Sequence, residues 1–222
     1  MVGNRKIHLI LAVLALTLSG FAADGSSLKP PPGAKVAVVV FEDLQCPDCA
    51  RAYPVVWEAA AAHKIPVVLH DFPLPRHNWS FRAAVLARFF DTKSQKLGDD
   101  YRGYIYKNQQ QIVDEGTLQQ FTQKFADDNK VPLPFAVDPD GKLTEKVKED
   151  RLLGQKIGLE HTPTIFVVGN GATASPFVEV VDRDQLSQII EDMQKKAGPA
   201  TPAKSAPAKK SLAKSKKTAS VH

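Results

Sequence analysis

The sequence has only two cysteines in 222 residues, Cys46 and Cys49. Two cysteines exclude a disulfide scaffold, which small secreted domains build from several bridges. They also cannot supply the four nitrogen or sulfur ligands of a structural zinc site unless histidines such as His70 and His161 happen to lie beside them. The pair therefore allows three interpretations: a redox-active pair, a structural disulfide, or half of a zinc site.

The sequence also lacks the features of several other classes of protein. It contains no glycine-rich phosphate loop, and nothing in it calls for an organic cofactor. Its most apolar stretch, from Ile7 to Ala23, is marginal for a bilayer, which needs about 20 apolar residues. No cysteine precedes Cys46 that could carry a lipid. Any chemistry in this chain is therefore expected at the two cysteines.

The N-terminal residues have the pattern of a secretory signal peptide. Arg5 and Lys6 precede the apolar residues 9–18, and small residues up to Ala22 provide a cleavage site. We predict a signal peptide over residues 1–22, cleaved after Ala22, with an uncleaved membrane anchor as the alternative. Export would place the protein in the periplasm, in the cell envelope or outside the cell, where disulfides persist.

The C-terminal residues 198–222 are rich in Ala, Pro, Ser and Lys and contain no acid. Such a composition cannot bury enough apolar surface to fold, so we predict a disordered tail. Its six lysines predict loose binding to an anionic envelope surface, or only a solubilising role. No nucleic-acid partner is expected, because no aromatic residues interleave the lysines. Residues 23–33 are predicted to be a linker and 34–197 one domain.

The basic balance of the chain comes from its two ends. Removing the six tail lysines together with Arg5 and Lys6 from the net charge of +5 leaves −3 for the middle of the sequence. The predicted domain is therefore slightly acidic, and its charge does not indicate a polyanionic partner.

The two cysteines follow a predicted buried strand, residues 36–41, and begin a predicted helix. Pro47 suits the first helical position, so Cys46 should lie at the helix N-terminus. Unpaired backbone N–H groups there stabilise a thiolate, which would lower the Cys46 pKa by roughly 0.5 to 1.5 units from about 8.5. We predict that Cys46 is the exposed attacking sulfur and Cys49 the shielded resolving one. The Asp48 carboxylate disfavours a second negative charge nearby, so Cys46 should be less acidic than it would be with a histidine at position 48.

The remaining sequence predicts an α/β fold. Residues 65–72 read as a second strand, parallel to the first. Helical periodicity follows over about 76–158, with breaks at residues 116–117 and 132–134 and a last helix over 143–157. Residues 164–168 and 177–181 then read as a hairpin with a positive-φ turn at 169–171, followed by a helix over 184–196.

Three segments in order resemble the DsbA-like branch of the thioredoxin superfamily: residues 41–49, the string Asp71-Phe72-Pro73-Leu74, and Thr162-Pro163-Thr164-Ile165-Phe166. The resemblance spans about 34–196. It implies a thioredoxin fold with a helical insertion between the βαβ and ββα halves. It also implies a monomeric thiol-disulfide oxidoreductase that donates its disulfide to reduced, unfolded proteins. Reoxidation would come from a quinone-linked membrane partner, of the DsbB or vitamin K epoxide reductase-like kind.

The resemblance also implies roles for residues beyond the cysteines. Thr162-Pro163 should be a cis peptide that faces the sulfurs and pairs with an incoming peptide strand. Members of the family often carry a buried acid where this chain has Val40, so Glu42 is our candidate for proton transfer to Cys49, against a solvated or capping role. His161, if close to Cys46, would stabilise its thiolate; otherwise it has no role.

Two other functions remain open. A disulfide reductase or isomerase of the same fold is compatible with Asp48 and Thr162, and the reduction potential distinguishes it from a disulfide donor. A non-enzymatic envelope binding module, in which the disulfide only braces the helix start, is the alternative from a different class.

Overall fold

A computed structural model describes residues 28–171 and 176–199. The predicted signal peptide, the start of the predicted linker and the tail from residue 200 lie outside the described residues. The strands are β1 (Val36–Glu42), β2 (Val67–Asp71), β3 (Thr164–Gly169) and β4 (Phe177–Glu179). The helices are α1 (Pro47–His63), α2 (Ser80–Asp91), α3 (Gln95–Asn108), α4 (Glu115–Asp128), α5 (Lys142–Lys156) and α6 (Leu186–Lys196).

The four strands form one sheet in the order β2-β1-β3-β4. β1 is parallel to β2 and antiparallel to β3, so that Val38 lies opposite both Val67 and Val167. β4 extends the sheet antiparallel to β3. Every residue of β1 is buried, because this strand has a neighbour on each side and helices on each face. The structure confirms the predicted thioredoxin fold with its βαβ and ββα halves.

Side chains of β1 alternate between the two faces of the sheet and bury a core on each. Val38 packs with residues of α1 and α6, whereas Val39 packs with the end of α5 on the opposite face. Gly154 lets α5 lie close to the sheet, because a Cβ at this position would lie 2.5 Å from ring carbons of Phe72.

The insertion between β2 and β3 consists of α2 to α5, as the helical periodicity predicts. Its core is aromatic: the Phe90 ring centre lies 4.6 Å from that of Tyr101, and the Phe90 and Phe125 rings meet edge to face. The same apolar cluster includes Cys46 and Cys49, so the insertion packs directly on the end of the domain that carries the cysteines. No helix in the described ranges is both long and apolar enough to cross a bilayer.

Two predicted boundaries are wrong. Gly116 and Thr117 do not separate helices but lie in the first turn of α4, where the Asp114 carboxylate accepts a hydrogen bond from the Thr117 N–H at 2.7 Å. Leu28, in the predicted linker, is 2% exposed and packs in the core with Phe166. The packed domain therefore already includes Leu28 rather than starting at residue 34.

The predicted positive-φ turn after β3 is also wrong, because neither Gly169 nor Asn170 has a positive φ. Asn170 instead joins the two ends of the described chain. Its Nδ2 donates to the Ala34 carbonyl at 2.8 Å, its N–H donates to the Lys35 carbonyl at 2.9 Å, and its carbonyl accepts from the Gly198 N–H at 2.7 Å. These contacts lie at the end of the sheet where β1 begins, whereas the cysteines follow the opposite end of β1.

Candidate redox site

Cys46 occupies the position that the sequence predicts, at the start of α1. It is the N-cap residue, with φ −80° and ψ 120°, and Pro47 follows as the first helical residue. The turn from β1 is closed by the Cys46 N–H, which donates to the Asp43 carbonyl at 2.9 Å. The first sulfur therefore lies just after the buried strand β1, at the N-terminus of α1. The backbone N–H groups at that end have no partner within the helix.

The predicted exposure of Cys46 is wrong in degree. Cys46 is 5% exposed and Cys49 2%, so both residues are buried. Cys46 is still the more exposed of the two, as predicted. The cause is the helical insertion, whose aromatic core includes both cysteines. Both are free thiols in this structure.

The two thiols have opposite pKa shifts. The pKa of Cys46 is lowered to about 5, chiefly because the Cys49 thiol donates a hydrogen bond to its sulfur, with smaller contributions from Thr162 and from the backbone N–H groups of Asp48 and Cys49. The pKa of Cys49 is raised well above its usual value, first by burial and then by its interaction with Cys46. Near neutral pH, Cys46 is therefore a thiolate and Cys49 a protonated thiol, as expected for an attacking and a resolving sulfur.

Thr162 and Pro163 lie opposite the cysteines. The peptide bond between them is cis, and the Cys46 Sγ lies 3.3 Å from the Thr162 carbonyl oxygen. Folding thus brings together two segments that are 116 residues apart in the sequence. A groove of about 470 Å³ runs beside this contact. Its lining includes Thr162, Pro163, Asp48, Val181 and Arg183.

Glu42 is buried behind the cysteines and is not solvated. It is 3% exposed, and its carboxylate accepts hydrogen bonds from Arg102 Nε at 3.0 Å and from the Tyr106 hydroxyl at 2.9 Å. Burial raises the pKa of Glu42 to about 7, although the charge of Arg102 opposes this shift. Glu42, Cys49, Tyr106 and Pro163 line one small cavity of about 10 Å³. That volume is near the lower limit for one water molecule.

Sequence reasoning missed the partners of Glu42. Arg102 is 0% exposed and also makes a two-point ion pair with Asp91, at 2.8 and 2.9 Å. A buried arginine needs such partners, because an unpaired charge in the core is very costly. The signal was the spacing of Arg102 and Tyr106, which lie four residues apart and so share one helical face.

Asp43 is a second residue that sequence reasoning did not assign. Its buried carboxylate accepts hydrogen bonds from the Leu74 N–H and from His77 Nδ1, both at 2.7 Å. Its own N–H lies 3.5 Å from the Cys49 sulfur and points toward it. Asp43 thus joins the segment before the cysteines to the segment that follows β2. This contact explains why residues 41–49 and 71–74, which are distant in the sequence, belong to one site.

Asp48 lies between the cysteines and forms ion pairs with two arginines. Its carboxylate contacts Arg183 Nη2 at 2.8 Å and Arg51 Nη2 at 3.2 Å. Partial burial acts to raise the pKa of Asp48, but the hydrogen bond and charge of Arg183, with help from Arg51, outweigh it and lower the pKa. The low pKa of Cys46 thus occurs with an ionised Asp48 beside it.

The structure brings neither candidate histidine against the sulfurs. His161 is exposed, and its contact is with the Thr164 hydroxyl, 3.4 Å from Nδ1. His70 bonds to Asp150 at 2.7 Å and stacks on Phe41. Within residues 28–171 and 176–199, no group of three or more His, Cys, Asp or Glu side chains is placed to hold a metal ion.

A pair of thiols at a helix N-terminus, facing a cis-proline on this four-stranded sheet, defines a thioredoxin-superfamily protein. A family model described as thioredoxin matches residues 31–192, and the chain belongs to this family. No protein of curated function matches the sequence significantly.

Solved structures confirm the DsbA-like form of the fold. The thiol-disulfide exchange protein α-DsbA2 from Wolbachia pipientis is similar with a TM-score of 0.56 at 19% identity, covering 74% of this chain and 84% of its own. The catalytic domain of Proteus mirabilis ScsC has a TM-score of 0.58 at 18% identity, and the match covers 75% of this chain and 88% of that domain. A periplasmic thioredoxin-like protein from Salmonella enterica serovar Typhimurium has a TM-score of 0.56 at 19% identity, and the match covers 78% of this chain and 94% of that protein.

Proposed function

We propose that this protein is an exported thiol-disulfide oxidoreductase that donates its Cys46–Cys49 disulfide to reduced, unfolded proteins. The observation that carries the proposal is the Cys46 thiol, whose pKa is lowered to about 5 beside Cys49 and within 3.3 Å of Thr162. A stable Cys46 thiolate favours the reduced form of the pair, which makes its disulfide more oxidising. Relatives of the same fold include a thiol-disulfide exchange protein and a periplasmic protein.

The reaction runs in two exchanges. A substrate thiolate attacks the Cys46 sulfur of the disulfide, the bond to Cys49 breaks, and Cys49 leaves as a thiolate that takes up one proton. The second substrate thiolate then attacks the substrate sulfur of the mixed disulfide, and Cys46 leaves as its stable thiolate. The substrate gains a disulfide, and its two electrons remain on Cys46 and Cys49. A quinone-linked membrane oxidase of the DsbB or vitamin K epoxide reductase-like kind would remove them.

Glu42 supplies the proton for the leaving Cys49. A buried thiolate is unstable because burial raises its pKa, so the first exchange needs an acid close to Cys49. Glu42 shares a small cavity with Cys49, and its pKa of about 7 leaves it partly protonated at neutral pH. One water in that cavity can carry the proton, which Glu42 then regains from solvent.

The groove beside the cis-proline would hold the substrate in an extended form. Backbone groups of Thr162 pair with an added strand, which places a substrate cysteine near Cys46. The groove is open and combines the charged Asp48, Glu179 and Arg183 with apolar residues such as Ile165 and Val181, so it can accept extended chains of varied sequence. The protein acts as a monomer in the periplasm or envelope in this proposal.

The reduction potential of the Cys46–Cys49 pair, measured against glutathione buffers, tests the direction of electron flow. A potential clearly above about −220 mV supports the donor, whereas one near −270 mV supports a reductase. Cys49→Ala in which Cys46 is first joined to glutathione by a disulfide should exchange the glutathione for a model substrate with one thiol, releasing reduced glutathione and leaving a stable mixed disulfide. Cys46→Ser should abolish disulfide formation in a reduced substrate with two thiols. If Cys46→Ser kept full activity in refolding a reduced substrate, a non-enzymatic binding module with a structural disulfide would be favoured instead.

A further inference from the structure

Asp48 places a carboxylate in the first turn of α1, two residues after the cysteine that must ionise. By itself, a negative charge there raises the pKa of a neighbouring thiol. The structure nevertheless combines this acid with a thiol of low pKa. The partners of the carboxylate therefore decide how strongly its charge acts on the sulfur.

Arg183 is one such partner, and it comes from a distant part of the chain. It follows β4 by four residues and lies 135 residues from Asp48 in the sequence. Its guanidinium makes two contacts: Nη2 donates to Asp48 Oδ1 at 2.8 Å, and Nη1 donates to the Asp48 carbonyl at 3.3 Å. The second contact fixes the backbone of the turn that lies between the two cysteines.

Arg51 contacts the same carboxylate oxygen but is a weaker partner. It lies three residues along the same helix, makes a single contact at 3.2 Å, and its side chain is 69% exposed compared with 32% for Arg183. Exposed pairs of this kind contribute little, because water and salt screen them. Arg51 therefore serves as a control with the same charge and the same partner.

We propose that Arg183 is a positioning residue that neutralises Asp48 and holds it in place, so that the Cys46 thiolate forms despite the acid between the cysteines. This rests on the proposed function only in taking Cys46 as the reacting thiol. The other titratable groups around the site include His161 and Glu179, which line the same groove, and Glu58 and Asp184, which line a second pocket with Arg183. They also include Glu42 behind Cys49 and the Asp43–His77 pair. None of these bonds to the Asp48 carboxylate, so they remain as a constant background when Arg183 is changed.

The test compares four variants of the reduced protein: Arg183→Gln, Arg51→Gln, Asp48→Asn and the double variant of Arg183→Gln with Asp48→Asn. The Cys46 pKa is measured from the ultraviolet absorbance of its thiolate as a function of pH. Arg183→Gln should raise this pKa by roughly 0.5 to 1 unit, a three- to tenfold loss in thiolate formation. Arg51→Gln should raise it by less than half as much. Asp48→Asn should lower it, and the double variant should return close to the parent.

Two results would overturn the inference: an unchanged Cys46 pKa in Arg183→Gln, or a double variant that keeps the full increase. The second result would mean that Arg183 does not act through Asp48. A general loss of folding is detected by circular dichroism and would not be restored by Asp48→Asn. Because the pKa is read without a substrate, a failure here is separate from a failure of the donor activity.

Discussion

Replacing Glu42 by glutamine should change how the stability of the protein depends on pH. In the folded protein the pKa of Glu42 is about 7, compared with 4.5 for the free side chain. Between those values the folded state binds a proton that the unfolded state does not, so this group makes the protein less stable as pH rises through that window. The difference of about 2.5 units corresponds to a loss on the order of 3 kcal/mol between pH 4.5 and pH 7.

Glu42→Gln removes the titrating group, so this loss should disappear. The assay is urea unfolding of the reduced protein at pH 5 and pH 8, for the parent and the variant. Cys46 also titrates in this range, but it does so in both proteins and cancels in the comparison. Glu145→Gln is the matched control, because that carboxylate is 63% exposed and forms an ion pair with the exposed Lys148. If parent and Glu42→Gln show parallel pH profiles, the carboxyl group is not held protonated by burial.

The same variant tests the proposed proton transfer. A general acid typically contributes a factor of 10² to 10⁴, so we expect reduction of the Cys46–Cys49 disulfide to slow about 10²-fold in Glu42→Gln. In the parent, the rate constant for attack by a given thiolate should fall as pH rises through about 7, where Glu42 loses its proton. In the variant this fall should be absent. Stopped-flow measurement with a small thiol gives both results, and an equal rate in the two proteins would refute the role.

Three further predictions concern single residues. The lowered Cys46 pKa, about 5 compared with 9.0, should make the reduced protein more stable as pH rises from 5 to 9, by up to about 5 kcal/mol; Cys46→Ser should lose this rise in urea unfolding. Gly154→Ala should destabilise the domain by roughly 1–3 kcal/mol, because its new Cβ would lie 2.5 Å from the Phe72 ring; an unchanged melting temperature would contradict this packing. Asp114→Ala should lower the melting temperature through loss of the α4 cap, with Asp114→Asn close to the parent in thermal unfolding.

The parts of the fold and site that the sequence predicts are those with local signals. A β-branched run followed by Cys46 and Pro47 determines where β1 ends and α1 begins. The cis peptide before Pro163 followed from resemblance rather than from physics, since only about 5–6% of such bonds are cis in folded proteins. The position at the helix N-terminus predicts the direction of the Cys46 pKa shift. It does not predict the size of the shift, because the largest cause is the hydrogen bond from Cys49.

The parts that could not be predicted depend on contacts distant in the sequence. Glu42 could be proposed as an acid, but the burial that raises its pKa depends on tertiary packing. Its partners Arg102 and Tyr106, which lower that pKa, come from α3, more than 50 residues later. Similarly, Asp48 appeared to oppose the thiolate because nothing near it in the sequence indicates Arg183. The burial of Cys46 depends on how the aromatic insertion packs, and periodicity alone does not give that packing.

The meeting of the chain ends at Asn170 has a practical consequence for handling this protein. Both Ala34 and Gly198 are held where β1 begins, and β1 then extends for seven residues, about 23 Å, toward the sulfurs. A fluorophore, affinity handle or solid support attached at a residue beside Gly198 therefore lies on the far side from the reactive thiols. Protein immobilised through that position should present its chemistry outward.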